Sequence, residues 1–279
     1  ECNPVHCPYA KGHFDRVNDA VFELLQESNM FAREEILAQA KVPTTYEDIL
    51  QGILAALDKV LLAGVAENLE RVVISSTIVT NALTENKIDP VFLAVMTGPG
   101  MNVKGKFPVE PYYVSGYVDH RGKITAQIDW TKHRDLLNAK GSGVCAVSGK
   151  FAVRQPQNEY LLEHELRKCG YKKVFLGSEL SGELNFVRRT NSAYFAAAVY
   201  KVFDKFCQKV QLALENRNIT APVHILKADG GTLPLSVALE QPVEAVFTGP
   251  AASVLGIEAL AAPEAKHRSR SIAAEWHGV

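Results

Sequence analysis

Two glycine-rich turns near residues 230 and 249 combine residue types that can hold an anionic ligand. The first, an Asp-Gly-Gly-Thr turn at 229–232, directly follows the apolar segment 223–228, which is typical of a strand. A carboxylate at a strand end, followed by glycines without a Cβ, lets the backbone come close to a ligand. The second, a Thr-Gly-Pro turn at 248–250, leads into an Ala/Leu-rich helix whose first N–H groups would point at an anion. Either turn alone also fits an ordinary tight turn, because loose glycine motifs are weak signals of function.

A third group of polar side chains follows another predicted strand. The apolar run 71–77 ends in hydroxyl residues, and the helix predicted over 78–85 carries Thr80 and Asn81 in its first turns. Hydroxyl and amide groups where a strand meets a helix are suited to contact a ligand. They are equally suited to cap the helix. Both interpretations stay open at this point.

Charged residues between 179 and 189 are further candidates for chemistry. Glu179 and Glu183 follow a predicted strand and could act in acid–base catalysis, with a solvated loop as the alternative. Arg188 and Arg189 stand at the start of the longest predicted helix. We expect this arginine pair on a solvated face, with the steering of an anion as the alternative.

The elements that must position these residues alternate between strand and helix. Nearly continuous apolar runs suit strands buried on both faces of a parallel sheet, and apolar residues at helical spacing indicate amphipathic helices. Residues 101–130 are rich in Gly, Pro and Tyr, which predicts loops and an antiparallel hairpin near 118–124. The predicted strands span 71–77, 90–96, 144–149, 173–177 and 223–228, and the predicted helices span 46–63, 78–85, 130–139, 157–169 and 188–216.

Composition and charge argue against several classes of protein. The chain has 279 residues, 47% of them hydrophobic, and a formal net charge of −1. This charge gives no electrostatic case for binding nucleic acid or a membrane surface, and no apolar run approaches the length of a membrane span. The start of the chain does not look like a signal peptide. Five scattered cysteines without a disulfide framework favour the reducing cytoplasm.

The first 40 residues differ in pattern from the rest of the chain. Their apolar spacing predicts two short helices, at 15–26 and 30–39. Cys2 and Cys7 could ligate a metal or an iron–sulfur cluster, although a closed site normally takes four ligands. The segment resembles the iron–sulfur region of Rad3-like bacterial helicases, but only two of that family's four cluster cysteines appear. Two cysteines are too few for a closed site, so we expect no metal site formed by this chain alone. The sequence has no Walker A loop, so we expect no helicase activity.

Residues 41 to about 262 carry motifs in the order and spacing of one enzyme family. They include a Thr-Asn stretch, an Asp-Gly-Gly turn and a Gly-Pro-Ala segment, each next to a predicted helix or strand. Together they resemble the N-terminal part of the hydantoinase/oxoprolinase family. The matching stretches are Ser76–Leu83, Ser148–Arg154, Ser178–Asn191, Lys227–Gly231 and Thr248–Ala252.

The resemblance implies an α/β fold of the actin and sugar-kinase type, which is ribonuclease H-like, incomplete at both ends. It implies ATP and Mg²⁺ as cofactors, a cyclic amide such as a hydantoin or 5-oxoproline as substrate, and a second hydantoinase/oxoprolinase-type subunit as partner. Phosphorylation of the amide oxygen would make the ring carbon electrophilic enough for attack by water. No general base is assigned. The residues that the resemblance places at the nucleotide site are Thr77, Thr80, Asn81, Asp229, Gly230, Gly231, Gly249 and Pro250.

The sequence departs from the family pattern at both ends of the match. Family members open with an Asp-x-Gly-Gly-Thr hairpin that holds phosphate and repeat it after the Gly-Pro-Ala segment, and neither hairpin appears here. We therefore expect a helical helicase-like segment over 1–40, an α/β domain over 41–262 and a disordered tail over 263–279. The α/β domain would have weak or no hydrolase activity alone. The alternative is a non-catalytic α/β module or a mis-joined product of two genes.

Overall fold

The computed structural model describes residues 19–27, 34–43, 49–61, 69–138, 141, 143–261 and 271–276. The described chain is a mixed α/β protein, as the sequence predicts. It divides into two compact units. Unit 1 combines residues 1–87 with 202–279, and unit 2 is the continuous segment 88–201. No helix in the described ranges is long and apolar enough to cross a membrane.

The helices and strands occur in chain order as follows. The strands are β1 (Asp19–Glu27), β2 (Glu34–Pro43), β3 (Arg71–Ser76), β4 (Val91–Met96), β5 (Tyr112–Tyr113), β6 (Tyr117–Val118), β7 (Ile124–Ala126), β8 (Val144–Gly149), β9 (Lys173–Leu176), β10 (Val223–Leu226), β11 (Thr232–Pro234) and β12 (Ser271–Trp276). The α-helices are α1 (Ile49–Val60), α2 (Ile78–Thr84), α3 (Arg134–Asn138), α4 (Gln157–Lys168), α5 (Gly177–Leu180), α6 (Phe186–Glu215), α7 (Leu235–Glu240) and α8 (Thr248–Ala261). Short 3₁₀ helices span Trp130–His133 and Pro242–Ala245.

The described strands of unit 1 form one sheet in the order β11-β10-β3-β12-β1-β2. Strand β3 is parallel to both of its neighbours, β10 and β12. The outer pairs, β10 with β11 and β1 with both β12 and β2, are antiparallel. Val72 and Ile74 of β3 are buried, so the middle of this sheet lies in the core of unit 1.

Helix α1 covers part of that core. Ile53, Ala56, Leu57 and Val60 are all nearly inaccessible to solvent, and their spacing of three and four residues is that of one helix face. The amphipathic helix predicted over 46–63 is therefore confirmed for the described residues, where it spans Ile49–Val60.

Four of the described strands of unit 2 form a parallel sheet in the order β5-β4-β8-β9. All six residues of β8 are buried, which confirms the continuous apolar run as a strand covered on both faces. Helix α4 packs on this sheet through Leu162 and Leu166, which are fully buried in the same cluster as Val147 and Leu176. The predicted hairpin near 118–124 is present as the antiparallel pair of β6 and β7.

The helix predictions for the start of the chain are wrong where the structure describes it. Residues 19–27 and 34–43 are strands β1 and β2, which pair with each other along their length. A short isolated helix is marginal in water, so pairing between strands can override helical spacing of apolar residues. Cys2 and Cys7 lie outside the described residues.

The disorder prediction for the tail is also wrong in part. Residues 271–276 form β12, which is inserted between β3 and β1. This strand is held by hydrogen bonds to two neighbours, and such pairing leaves no periodic signal in the strand's own sequence. Residues 262–270 and 277–279 lie outside the described ranges. The division at 40/41 and 262/263 stays a prediction.

Candidate functional site

The candidate residues of unit 1 lie at one edge of its sheet. Strands β3 and β10 are parallel neighbours, with Ile74 opposite Ile225. The carboxyl ends of parallel neighbours meet at the same edge, where α/β proteins bind their ligands. The turn after β3 starts α2, and the turn after β10 is the Asp-Gly-Gly turn. The structure therefore brings these two candidate stretches to a common edge.

Thr248 fastens the start of α8 to this edge. Its Oγ1 accepts a hydrogen bond from the Ser76 N–H at 2.9 Å and donates one to the Ser76 carbonyl, also at 2.9 Å. Thr248 is fully buried, and Ser76 is 5% exposed. The two bonds satisfy both backbone groups of the last residue of β3. The first turn of α8, which contains Gly249 and Pro250, is therefore held in place against the end of β3.

A second bond links α8 to α2. The Phe247 N–H donates to Thr80 Oγ1 at 2.9 Å. Phe247 has a φ of 59°, in the left-handed region, although it is a bulky residue. Such a conformation costs on the order of 1–3 kcal/mol and clusters at binding sites. Thr80 therefore helps to hold a strained turn directly before the Gly-Pro segment.

Asp229 is held as a carboxylate by its own turn. It accepts a hydrogen bond from Lys227 Nζ at 2.8 Å and another from the Gly231 N–H at 2.9 Å. The bond from Lys227, followed by that from Gly231, lowers the pKa of Asp229. Lys227 also lies 3.4 Å from Glu244 Oε2, and its pKa is raised, chiefly by the hydrogen bond to Asp229. The turn thus combines a fixed carboxylate with a fixed cation.

Gly230 brings this turn close to α8. Its φ is 86°, which favours glycine, and a Cβ at this position would lie 3.4 Å from Leu255 Cδ2 on α8. This distance is an ordinary van der Waals contact, so the positive φ rather than lack of space favours glycine here. The approach of a ligand to the glycine pair stays a prediction. Thr77 and Asn81 contact each other, since Asn81 Nδ2 donates to Thr77 Oγ1 at 3.4 Å. All eight candidate residues lie in unit 1, and whether they bind a nucleotide stays a prediction.

A charged cluster in unit 2 is the part that the sequence analysis missed. Glu159 is fully buried. Its carboxyl oxygens accept hydrogen bonds from the Gly149 N–H at 2.7 Å, the Ser178 N–H at 3.0 Å and the Ser178 hydroxyl at 2.6 Å. Arg189, also fully buried, donates to the carbonyls of Gly149 and Glu183 at 2.6 Å each. This Glu159–Arg189 cluster joins the ends of β8 and β9 to the starts of α4 and α6.

The expectation that Arg188 and Arg189 share a solvated face is wrong for Arg189. Arg188 is exposed and lies 3.3 Å from Glu183 Oε1, whereas Arg189 points into the interior of unit 2. Adjacent helix positions face in different directions, so one arginine of a pair can be buried while its neighbour is solvated. Glu179 and Glu183 are exposed, which agrees with the solvated alternative rather than with a buried acid–base pair.

The unfolding free energy should depend on pH through Glu159. Burial raises the pKa of this carboxyl above its ordinary value of 4.5, and the bonds from Ser178 and Gly149 and the charge of Arg189 oppose the rise. A raised pKa means that the folded protein binds more protons than the unfolded chain, so stability falls as pH rises. We expect the unfolding free energy of the unsubstituted protein, minus that of Glu159→Gln, to fall as pH increases above 4.5.

Urea titrations of both proteins at a series of pH values measure this difference. Glutamine does not titrate, so the comparison isolates the contribution of position 159. A difference that stays constant, or that grows with pH, would show that the three donors and Arg189 outweigh burial.

The two buried cysteines of the described residues, Cys145 and Cys207, are not suited to act as nucleophiles. Burial raises the pKa of Cys145 and of Cys207 to about 12 in each case, so neither forms a thiolate at neutral pH. Cys145 is fully buried in the core of unit 2, where it packs as a small hydrophobic residue. Within the described ranges, no group of three or more His, Cys, Asp or Glu residues is placed to hold a metal ion.

Comparison with known protein families assigns the chain to one of them. The profile of the hydantoinase/oxoprolinase N-terminal region matches residues 19–170. The chain belongs to the hydantoinase/oxoprolinase family. A second profile, described as hydantoinase/oxoprolinase, matches residues 189–273. The match to this family thus begins inside the segment 1–40, and the helicase resemblance of that segment stays a prediction. No curated protein sequence matches the chain.

Solved structures share the fold of this hydantoinase/oxoprolinase chain. A nucleotide-free acetone carboxylase, from work on ATP-dependent acetone carboxylation, superposes with a TM-score of 0.66 at 18% identity, covering 80% of this chain and 37% of the other. The ATP-dependent caprolactamase from Pseudomonas jessenii gives a TM-score of 0.63 at 18% identity, covering 85% of this chain and 40% of the other. The chain therefore spans well under half the length of either protein.

Proposed function

We propose that the chain is the nucleotide-binding part of an ATP-dependent enzyme that opens a cyclic amide of the hydantoin or 5-oxoproline type. The observation that carries this proposal is the meeting of the Asp-Gly-Gly turn with α8 at the carboxyl edge of β3 and β10. Membership of the hydantoinase/oxoprolinase family supports it. The shared fold with two proteins described as ATP-dependent, one of them a lactamase, supports it further. In finer terms, we propose an actin-like ATPase fold.

The residues at this edge fit an anionic ligand. Helix α8 is 14 residues long, so its N-terminus carries a partial positive charge and free N–H groups that attract phosphate. Lys227 is a donor for a phosphate oxygen, although it shares its charge with Asp229 and Glu244. The backbone at Gly230 and Gly231 has no Cβ. ATP, when bound, supplies the phosphoryl group that activates a ring amide towards water. Mg²⁺ would accompany it, and no residue is assigned to the ion.

Within this proposal each part of the edge has a separate task. Lys227 and the start of α8 bind and orient phosphate oxygens through charge and backbone donors. Asp229 stays ionised at neutral pH because its turn lowers its pKa, and it holds Lys227 in place. Thr80 and Thr248 fix the Gly-Pro turn through their hydroxyls. The site that binds the cyclic amide, and a second subunit of the hydantoinase/oxoprolinase type as partner, belong to the proposal as well.

Calorimetric titration of the chain 1–279 with Mg-ATP tests this proposal. We expect saturable one-to-one binding, weakened about tenfold or more by Asp229→Ala, because Lys227 loses its anchor and the turn loses a hydrogen bond to Gly231. Asp119→Ala is the matched control. Asp119 accepts hydrogen bonds from the N–H groups of Arg121 and Lys123 in a similar turn, but it lies in unit 2.

The outcomes separate the two interpretations of the chain. Binding that Asp229→Ala weakens and Asp119→Ala leaves unchanged places the nucleotide at the unit 1 edge and justifies assays of cyclic-amide hydrolysis. No binding would contradict the proposal and favour a non-catalytic α/β module. Equal effects of both substitutions would contradict the assignment of the site.

A further inference from the structure

The side chain of His133 is buried in unit 2, at the end of the 3₁₀ helix Trp130–His133, and is only 5% exposed. Its Nε2 accepts a hydrogen bond from the Ser115 N–H at 2.9 Å. A backbone N–H can only donate, so Nε2 carries no proton and the proton of the neutral ring lies on Nδ1. Nδ1 then donates to the Tyr112 hydroxyl at 3.2 Å, and this hydroxyl donates to Asp135 Oδ1 at 2.9 Å. The hydrogen bonds therefore all run in one direction, from a backbone N–H to a carboxylate.

Ser115 is the residue at which the chain leaves the sheet of unit 2. The preceding N–H, that of Val114, still donates to a carbonyl of β4 at 2.8 Å. The next residue, Gly116, has a φ of 112° and turns the chain towards β6. Ser115 Oγ also accepts a hydrogen bond from the Asp129 N–H at 2.8 Å, so it joins the two ends of the segment that carries the β6–β7 hairpin. By binding Ser115, His133 therefore holds the base of this hairpin.

Protonation of His133 would break one bond of this chain. A second proton on the ring must occupy Nε2, where it would face the Ser115 N–H, and two donors cannot bond to each other. The new N–H can still donate to Ser115 Oγ, which lies 2.9 Å from Nε2. The Ser115 N–H, in contrast, would lose its acceptor in a partly buried site, and an unpaired donor in such a site is unfavourable. The geometry of Ser115 is therefore matched to the neutral ring.

The charged groups around His133 act in opposite directions on its protonation. The Asp135 carboxylate on α3, linked to the ring through a tyrosine hydroxyl, favours the charged form. Lys132 and Arg134, the exposed cations before and after it in the chain, disfavour the charged form, and Lys132 is itself paired with Asp129 at 3.2 Å. Histidine is the side chain that changes its charge between about pH 5 and 8, which sets the pH range in which such a bond can be controlled.

We propose that the Ser115–His133 bond is a proton-controlled latch at the base of the β6–β7 hairpin. The latch is closed while the ring is neutral. Protonation of the ring opens it and loosens the base of the hairpin, while the tip stays attached through Arg154, which donates to the His120 carbonyl. The latch lies wholly in unit 2, so it does not depend on nucleotide binding by unit 1.

Amide hydrogen exchange of the full chain, measured residue by residue by NMR, tests this latch. The protection factor corrects the exchange rate of each N–H for its intrinsic dependence on pH. We expect the protection factor of the Ser115 N–H to fall about tenfold or more between about pH 7.5 and about pH 5.5, because one hydrogen bond is lost. The Val114 N–H, which is bonded to β4, should keep its protection.

His133→Gln separates the hydrogen bond from the titrating ring. Glutamine offers a side-chain carbonyl as the acceptor and does not titrate, so the Ser115 N–H should be equally protected at both pH values. His164→Gln, at an exposed position of α4, is the matched control and should leave the pH dependence unchanged.

A second measurement on the unsubstituted protein covers the case in which His133→Gln fails to fold. The ¹⁵N chemical shifts of the His133 ring report which nitrogen carries the proton, and we expect Nε2 to be unprotonated at about pH 7.5. Three results would each overturn the proposal: equal protection of Ser115 at both pH values, a loss of protection that persists in His133→Gln, or a proton on Nε2 at neutral pH.

Discussion

Arg189→Leu is expected to destabilise unit 2 by about 3–5 kcal/mol, the cost of breaking a buried charge cluster by removing one partner. The substitution leaves the carbonyls of Gly149 and Glu183 without their guanidinium donor. It also removes the positive charge that favours the ionised form of Glu159. Urea unfolding followed by fluorescence of Trp130, which packs against the core of unit 2, measures the loss. A Trp276→Phe background makes Trp130 the only tryptophan, since the sequence has two.

Arg188→Leu is the matched control for this experiment. It changes the same residue type at the next position, but Arg188 is exposed, and its side chain forms a surface ion pair with Glu183. Such pairs contribute at most about 1 kcal/mol. Equal losses for the two variants would contradict the role given to the buried cluster, as would an Arg189→Leu protein with an unchanged unfolding midpoint.

Thr248→Val is expected to destabilise unit 1 by roughly 2–4 kcal/mol, because two buried backbone groups of Ser76 lose their partner. Valine matches threonine in shape, so the substitution removes hydrogen bonds without opening a cavity. The start of α8 would lose its attachment to β3, and the affinity for Mg-ATP should fall with it. Urea unfolding in a Trp130→Phe background, where Trp276 on β12 is the remaining tryptophan, reports on unit 1.

Thr248→Ser separates the hydroxyl from the methyl group. Serine keeps both hydrogen bonds to Ser76, so its loss of stability should be well below that of valine. If serine and valine destabilise equally, packing of the methyl group rather than the hydroxyl bonds holds α8 to the sheet, and the assignment of Thr248 is wrong.

Patterns within single segments predicted most of the fold from residue 46 onward. The strand over 144–149 and the helices over 157–169 and 188–216 are within two residues of their observed ends. The predictions for the start of the chain and the tail are wrong because β12 pairs with β1 and β3, which lie far away in sequence, while β2 pairs with β1. Pairing between strands far apart in sequence produces no periodic spacing of apolar residues from which the pairing could be predicted.

The candidate site also combines features that local sequence predicts with features that depend on contacts between distant residues. The glycine turn was found from sequence because Asp229, Gly230 and Gly231 are neighbours in the chain. Lys227 stood two residues away, and its contact with Glu244 depends on the fold. The Glu159–Arg189 cluster had no sequence signal, since its members come from segments 30 residues apart along the chain and each looks like a solvated charge.

The split of unit 1 around unit 2 has a consequence for folding during synthesis. Residues 88–201 are continuous, so unit 2 can collapse as soon as they leave the ribosome. Strands β1 and β2 can pair with each other, but β3 must wait for β10 and β12, and β1 must wait for β12, because β12 joins β1 to β3. Unpaired strand edges are prone to aggregate. While unit 2 is already folded, chaperones would therefore need to protect the unpaired strands of unit 1 from aggregation.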